Sequence, residues 1–487
     1  MKTSLIEKKS EPNLIQKLEK TIKLHCTWID IEEKDIKDNK EYVTRIYFVK
    51  PMELVNFIQN RIKYLVVRGV ANEGSLIYFY TKGYYKLVSE DEFKGFINMF
   101  IPYQLIKSQD TNEVFINLKR TTNFTNYEEL NANEQYINFQ DGLLNLHTWK
   151  LEQHNADILS TIQIPTKYKD VEASNPDNAT NFHKYITTLC NNNTDTCLVL
   201  LECLGLIISN IYGYRTKKAL FLVGAGDTGK SQLKNLVEYL VGDDNISNID
   251  LKKMNERFGT ASLYQKRLVG CNDMSYQRIE DMSIFKQLTG GDKIEIEFKG
   301  KSSFNFSFKG FLWFNCNREP YFGGDTGKWV YDRIMIITCN NVIAKEKQDP
   351  FLFNKLKEEK NEILKLSLAA LKTLIFKNYN FEETPEMLEA RERYEINNNT
   401  LLSFIKEFCE VYEEPIQSFR TPRSTFNRAY DSYIKEKNNN RGKIPSKDIN
   451  LLLEQKFKET FIKSNGIVYM SKIKLTPSAK EELNYYE

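Results

Sequence analysis

The 487-residue chain has only four histidines, and its eight cysteines (Cys26, Cys190, Cys197, Cys203, Cys271, Cys316, Cys339, Cys409) form no C-x(2)-C pair. With no paired cysteines and no regular histidine spacing a zinc ribbon is excluded, and scattered thiols fit a reducing compartment. No apolar run is long enough to span a bilayer; the longest, 197–211, is interrupted by Glu202 and Asn210 and reads as a buried helix. The first residues, Met1-Lys2-Thr3-Ser4 and onward, lack the apolar core of a secretory leader. A cytoplasmic protein with no membrane partner is therefore expected. An excess of one charge is also missing. The chain carries 68 basic and 65 acidic residues, net +3, so any nucleic-acid footprint must be local. Its composition, 41% hydrophobic and 27% charged, excludes a disordered or fibrous chain. The length exceeds one hydrophobic core and implies roughly two to four domains.

What is present is concentrated at 219–231, Ala-Leu-Phe-Leu-Val-Gly-Ala-Gly-Asp-Thr-Gly-Lys-Ser. An apolar strand enters a glycine-rich turn, and a helix-compatible run leaves it through Leu240. The spacing G-x(4)-G-K-S in that context is the phosphate loop of nucleoside triphosphatases. Gly224, Gly226 and Gly229 let successive N–H groups turn into one cavity at a helix N-terminus. Lys230 would reach the β- and γ-phosphates of ATP, and the Ser231 hydroxyl would take a place on Mg²⁺.

Hydrolysis also needs a hard oxygen ligand for Mg²⁺ at the end of a neighbouring strand. The run 266–273, Lys-Arg-Leu-Val-Gly-Cys-Asn-Asp, supplies Asp273; Asn272 beside it can position water but cannot act as a base. A further strand, 310–317, ends in amides. Asn317 suits the attacking water because an amide offers both donor and acceptor; Asn315 competes with it, and spacing does not separate them. Arg333 stands immediately before the apolar run 334–339, where it can serve as an arginine finger at a subunit boundary or pair with Asp332 or Asp325. The stretch 293–309 alternates apolar and acidic residues and then presents Lys299-Gly300-Lys301, a hairpin that can touch DNA phosphates or be a plain surface turn.

Around this centre, 1–150 reads as an α+β N-terminal unit for oligomerisation or loading. It holds a helix at 14–24, another at 52–67 that turns extended, an aromatic hairpin at 76–88, and two strands at 136–146. The domains that follow are a helical collar at 177–213, an ATPase core at 214–345, a charged helical linker at 346–397 and a last unit at 398–487. Core strands are expected at 219–223, 267–271, 311–314 and 334–339. The last unit shows three helical runs and then a strand–turn–strand at 461–470, the order of a winged helix. Between Ser418 and Lys447 it carries eight basic residues against two acidic ones, among them Arg420, Arg423 and Lys443. This is a local DNA footprint, or the solvated face of a protein-docking domain.

The segments 221–231, 266–273, 285–292 (Phe-Lys-Gln-Leu-Thr-Gly-Gly-Asp) and Asn317-Arg318-Glu319-Pro320, with 329–333, resemble the Walker A, Walker B, B′, C and arginine-finger segments of superfamily 3 helicases. More closely they are similar to phage and plasmid primase-helicases of the poxvirus D5 type, including replication initiators of bacterial mobile genetic elements, which implies the cytoplasm of a bacterial cell. The likeness covers roughly 135–345. It implies an AAA+-like P-loop core in a homo-hexamer that moves 3′→5′ on single-stranded DNA in a central channel. ATP and Mg²⁺ would lie between subunits, held by Lys230, Ser231, Asp273 and Asn317 of one and Arg333 of the next. Lys299 or Lys301 would follow the strand, and the C-terminal unit would recognise duplex origin DNA. The family often has Glu where Asp273 stands, so Asp273 acts as general base or only holds Mg²⁺. The other implied reading is an ATP-switched origin-remodelling protein without processive unwinding. Residues 1–130 offer His25, Asp30 and Glu32 but no D-x-D arrangement, so no primase activity is expected.

Overall fold

Five strands, Ile246–Asn248, Leu268–Gly270, Phe311–Cys316, Ala219–Val223 and Ile334–Thr338, lie in that order in one all-parallel sheet. The computed structural model describes residues 3–8, 26–36, 39–68, 75–122, 124–274, 278–299, 303–322, 328–437, 444 and 446–483. Burial on both faces explains why the strands read as unbroken apolar runs. Leu220, Leu222, Trp313, Met335 and Ile337 join a core with the helices Thr180–Leu189, Thr194–Ile208, Lys230–Val241 and Lys360–Phe376. Phe221, Phe314, Ile334 and Ile336 alternate with them and enter a second core. That core includes Val67, Tyr78 and Tyr85 of the N-terminal part and Ile294, Ile296 and Phe306 of the antiparallel pair Lys293–Ile296 and Phe304–Ser307.

The edge strand Ile246–Asn248 was not expected from the sequence; a three-residue Ile-Ser-Asn carries no periodic signal, and its place comes from pairing with Leu268–Gly270. The charged stretch 346–397 is helical as expected, but it is no linker. Leu356, Ile363, Leu364, Leu368, Leu371 and Leu374 are buried in the first core. A Cβ added at Gly205 would meet the Ser367 carbonyl oxygen at 2.5 Å, so the helices 194–208 and 360–376 touch backbone to backbone.

In the N-terminal part, Leu76–Thr81 and Tyr84–Val88 form the expected hairpin, with Lys82 and Gly83 at φ 49° and 90°. Of its rings, Tyr78 and Tyr85 are buried, and Phe79 meets Phe93 edge-on at 4.8 Å. Strand Tyr64–Arg68 joins this hairpin to Phe124–Asn126. Helix Glu90–Asn98 begins in a capping box between Ser89 and Glu92. A three-stranded antiparallel sheet of Thr3–Lys8, Asn39–Val49 and Ile29–Ile36, absent from the sequence reading, precedes it. The helix expected at 14–24 and His25 lie outside the described residues; Asp30 pairs with Lys50 at 2.9 Å.

The last part has helices Thr400–Phe408, Arg423–Lys437 and Ser446–Phe457, then the hairpin Ile462–Ser464 and Ile467–Tyr469. A second pair, Cys409–Val411 with Ile473–Leu475, closes a core of Phe404, Phe408, Phe426, Tyr430 and Met470. No helix among the described residues is long and apolar enough to cross a membrane.

Candidate functional site

All five strands end on the same side of the sheet, and the residues of interest collect there. Strand Ala219–Val223 runs into the loop 224–229, and helix Lys230–Val241 begins immediately after it. The loop turns sharply, with Asp227 at φ 59° and Gly229 at φ 95°, where glycine is the residue that fits without strain. Gly224 is required for a different reason: a Cβ there would stand 2.1 Å from the Cys339 carbonyl oxygen. Gly226 has nothing within 4 Å of such a Cβ, so the protein itself imposes no need for glycine at that position. The loop is also held from outside by the Ile343 N–H, which donates to the Asp227 carbonyl at 2.9 Å.

Lys230 is buried, and its Nζ donates to the carbonyls of Gly224 (2.8 Å) and Ala225 (2.7 Å) and to Thr228 Oγ1 (3.0 Å). Its ammonium is thus drawn across the mouth of the loop. Burial pushes its pKa below the usual lysine value, opposed by Cys339, Cys316 and Asp273 nearby. Ser231 is exposed in the first helical turn, where the N–H groups have no intrahelical acceptor.

Asp273 follows strand Leu268–Gly270 and is exposed; the next residue, Met274, donates its N–H to the Asn315 carbonyl at 2.8 Å. Asn315 and Asn317, left undivided by spacing, have different surroundings. Asn315 is fully buried; its Oδ1 accepts from Trp313 Nε1 (2.9 Å), and its Nδ2 donates to the Lys230 carbonyl (3.0 Å) and Asn272 Oδ1 (3.1 Å). Asn272 in turn donates to Asn235 Oδ1 at 2.8 Å. Both amides therefore brace the loop helix against the neighbouring strands. Asn317 lies just past the end of Phe311–Cys316 and is exposed. Lys230, Ser231, Asp273 and Asn317 thus share one end of the sheet.

Arg333 does not. Ile334 pairs with Ala219 and Thr338 with Val223, so five residues of strand, roughly 17 Å at about 3.3 Å per residue, separate Arg333 from the start of the loop. Its guanidinium donates to the Lys286 carbonyl (3.1 Å) and Thr289 Oγ1 (2.9 Å), at the end of helix Ser283–Gly290. Of the alternative ion-pair partners, Asp325 lies outside the described residues. Lys299 is exposed beyond Ile296 in the antiparallel pair, while Lys301 and Lys443 lie outside the described residues. Two C-terminal arginines are engaged within their own domain: Arg420 Nε donates to the Ile416 carbonyl (2.6 Å). Arg423 donates to Asn450 and lies 4.1 Å from the centroid of the Phe461 ring. Arg423 therefore ties the helix 446–457 to the strand that follows it, a structural duty that the charge pattern did not reveal.

The sequence reading also missed Tyr185, whose hydroxyl donates to the Gly229 carbonyl at 2.7 Å. The available signal was its place on the apolar stripe of Phe182, Ile186 and Leu189, since a buried tyrosine needs a partner for its hydroxyl. Arg267 is a second such residue. It is fully buried, and its guanidinium donates to the carbonyls of Leu206 (2.8 Å), Ile211 (2.8 Å), Lys309 (2.6 Å) and Ile207 (3.3 Å). Burial lowers its pKa to about 10.

Magnesium fits the oxygen donors present. Ser231 and Asp273 present exposed hard oxygens at one end of the sheet, and Mg²⁺ commonly takes one or two protein oxygens with the rest from phosphate and water. No cluster of three or more His, Cys, Asp or Glu suited to a metal occurs among the described residues.

Comparison with known proteins gives two family matches. A family of unknown function, DUF5906, matches residues 222–333. The family described as D5 N terminal like matches residues 70–191, which carries the likeness well upstream of the 135–345 stretch seen in the motifs. No curated protein matches. Similar solved structures include the A form of the apo C-terminal region of NrS-1, with 13% identity, TM-score 0.47, and 87% of this chain and 99% of that one covered. A second apo structure of the region has 12% identity and TM-score 0.42 at the same coverage.

Proposed function

We propose, from the premise that the chain belongs to the D5-like primase-helicases of superfamily 3, that it is an ATP-dependent 3′→5′ DNA helicase and the replication initiator of a phage or mobile genetic element. Membership of that family implies nucleotide hydrolysis and a replication-associated helicase role. The observation that carries the finer reading is the division of the site: Lys230, Ser231, Asp273 and Asn317 at one end of the sheet, Arg333 at the other. One chain then holds a nucleotide and offers its arginine to a different chain's nucleotide, which is the logic of a ring.

In this reading the loop N–H groups and Lys230 bind the phosphates of ATP, so Lys230 exchanges its loop carbonyls for phosphate oxygens. Ser231 and Asp273 would hold Mg²⁺, which supplies charge neutralisation on the β- and γ-phosphates when bound. Asn317 orients the attacking water with its amide. Arg333 stabilises charge on the neighbouring subunit's γ-phosphate. Lys299, with Lys301, follows single-stranded DNA in the channel of a homo-hexamer. Residues 177–213 act as a collar, and 1–150 as an oligomerisation or loading unit. The three helices and hairpin of 398–487 support a winged-helix-like domain for duplex origin DNA. Its internal bonds to Arg420 and Arg423 leave phosphate contact to other basic side chains of the unit, such as exposed Lys435. The short Asp273 carboxylate favours the second reading, an ATP-switched origin-remodelling protein without processive unwinding.

The test is ATP-dependent strand separation on forks with a 3′ or a 5′ single-stranded tail, with Lys230→Ala alongside. Separation from the 3′ tail only, lost in the variant, is the expected result. Hydrolysis without separation on either fork selects origin remodelling. No hydrolysis, or hydrolysis unchanged in the variant, refutes both.

A further inference from the structure

We infer that Tyr185 is a positioning residue of the phosphate loop, through which the helical layer preceding the sheet sets the affinity for the triphosphate. The inference rests on the nucleotide-binding reading above. Tyr185 is buried in helix Thr180–Leu189, and its hydroxyl donates to the Gly229 carbonyl at 2.7 Å. That carbonyl belongs to the Gly229–Lys230 peptide, the hinge between loop and helix. It accepts from the Gln232 and Leu233 N–H groups as well, at 2.9 and 3.3 Å. In a planar trans peptide the C=O and N–H point in opposite directions. Anchoring the Gly229 oxygen on the helix side therefore directs the Lys230 N–H toward the concave side of the loop, where an anion is received.

The ring adds a steric constraint: a Cβ at Gly229 would stand 3.1 Å from Tyr185 Cε2. The anchor is itself held at both ends. Glu359, buried, accepts from the N–H groups of Asn181 and Phe182 at 2.9 and 2.8 Å and so caps the start of the tyrosine's helix. At the other end Asn191 Nδ2 donates to the Thr338 carbonyl (2.7 Å) and Asn341 Nδ2 to the Thr188 carbonyl (2.7 Å). The segment after Thr338 is the one that packs Cys339 against Gly224 and bonds Ile343 to Asp227. Helix 180–189 is thus braced on the elements that flank the loop, and Tyr185 is its one hydroxyl contact with the loop backbone among the described residues.

The experiment uses the full chain and Tyr185→Phe, which keeps the buried ring and removes the hydroxyl. The expected result is a rise of about two- to tenfold in KM for ATP, with an equal rise in the inhibition constant of inorganic tripolyphosphate and kcat within about twofold. A packing role alone would lower the melting temperature and leave both constants where they were; that outcome, or a loss confined to kcat, overturns the inference. As a measurement independent of the variant's folding, 3-fluorotyrosine is placed at position 185. Its ¹⁹F resonance is expected to move when tripolyphosphate is added and to stay fixed with adenosine. A resonance indifferent to tripolyphosphate overturns the inference. A wild-type chain that neither hydrolyses ATP nor is inhibited by tripolyphosphate overturns the nucleotide reading, and this one with it.

Discussion

Arg333 provides the sharpest test of the proposed ring, because it and the loop 224–229 of its own chain lie at opposite ends of the paired strands. The paired register sets it one residue below the Ala219 level, with roughly 17 Å of strand before the loop begins. If Arg333 serves catalysis, it serves a neighbour. Removing an arginine of this kind costs about 10³-fold or more in kcat, or about 4 kcal/mol of barrier. Arg333→Ala and Lys230→Ala are each therefore expected to be inactive alone. Mixed in equal amounts and allowed to exchange, they behave differently. A site works when the loop comes from an Arg333→Ala chain and the arginine from a Lys230→Ala chain. In a head-to-tail ring with random placement this happens at about a quarter of the sites. The mixture should regain about a quarter of the wild-type ATPase rate, measured by phosphate release. An arginine acting in its own subunit allows no recovery, since every chain then lacks one half of its site. No recovery, with mixed assembly verified by differential tags, refutes the assignment.

Three further outcomes follow from the geometry. Asn317→Ala should lower kcat by about 10²-fold at unchanged melting temperature, whereas Asn315→Ala should lower the melting temperature, since it leaves the buried Trp313 N–H without its acceptor and removes the bond to the Lys230 carbonyl; calorimetry with steady-state kinetics separates the two. Gly205→Ala forces a methyl toward the Ser367 carbonyl oxygen at 2.5 Å and should destabilise the helical layer by about 1–3 kcal/mol, read as a lower unfolding midpoint. Burial lowers the Lys309 pKa from 10.5 to about 8. Between those values the unfolded chain keeps a proton that the folded one has released, so this group's contribution to stability rises with pH across that window and is flat below it. Melting curves from pH 7 to 10 should show the wild type gaining on Lys309→Met as pH rises; a parallel pair of curves refutes the sign.

Local pattern decided much of the core. The run 219–231 carries strand, turn and helix within one short stretch, because each is dictated by neighbours in sequence: apolar residues buried on both faces, glycine where φ is positive, a helix after it. The hairpin at 76–88 and the helix Ser446–Phe457 were legible for the same reason. What the sequence left open required contacts between distant residues. Ile246–Asn248 is a strand because Leu268–Gly270 lies beside it, not because three residues favour one. The stretch 346–397 was legible as helical but not as core: its charges suggest a solvated linker, while its leucines fill the first core. Asn315 and Asn317 are chemically identical two positions apart; the strand ends at Cys316, so Asn315 is buried inside the sheet in a hydrogen-bonded brace and Asn317, past its last residue, is exposed. Arg423, Arg267 and Tyr185 look like surface or stripe residues until the fold brings their acceptors to them. Sequence alone thus determined where the candidate phosphate loop lies, because its spacing is local; the tertiary structure decided which of the candidate side chains are exposed and which are bound up in the fold, because burial and hydrogen-bond partners are set by residues far apart in the chain.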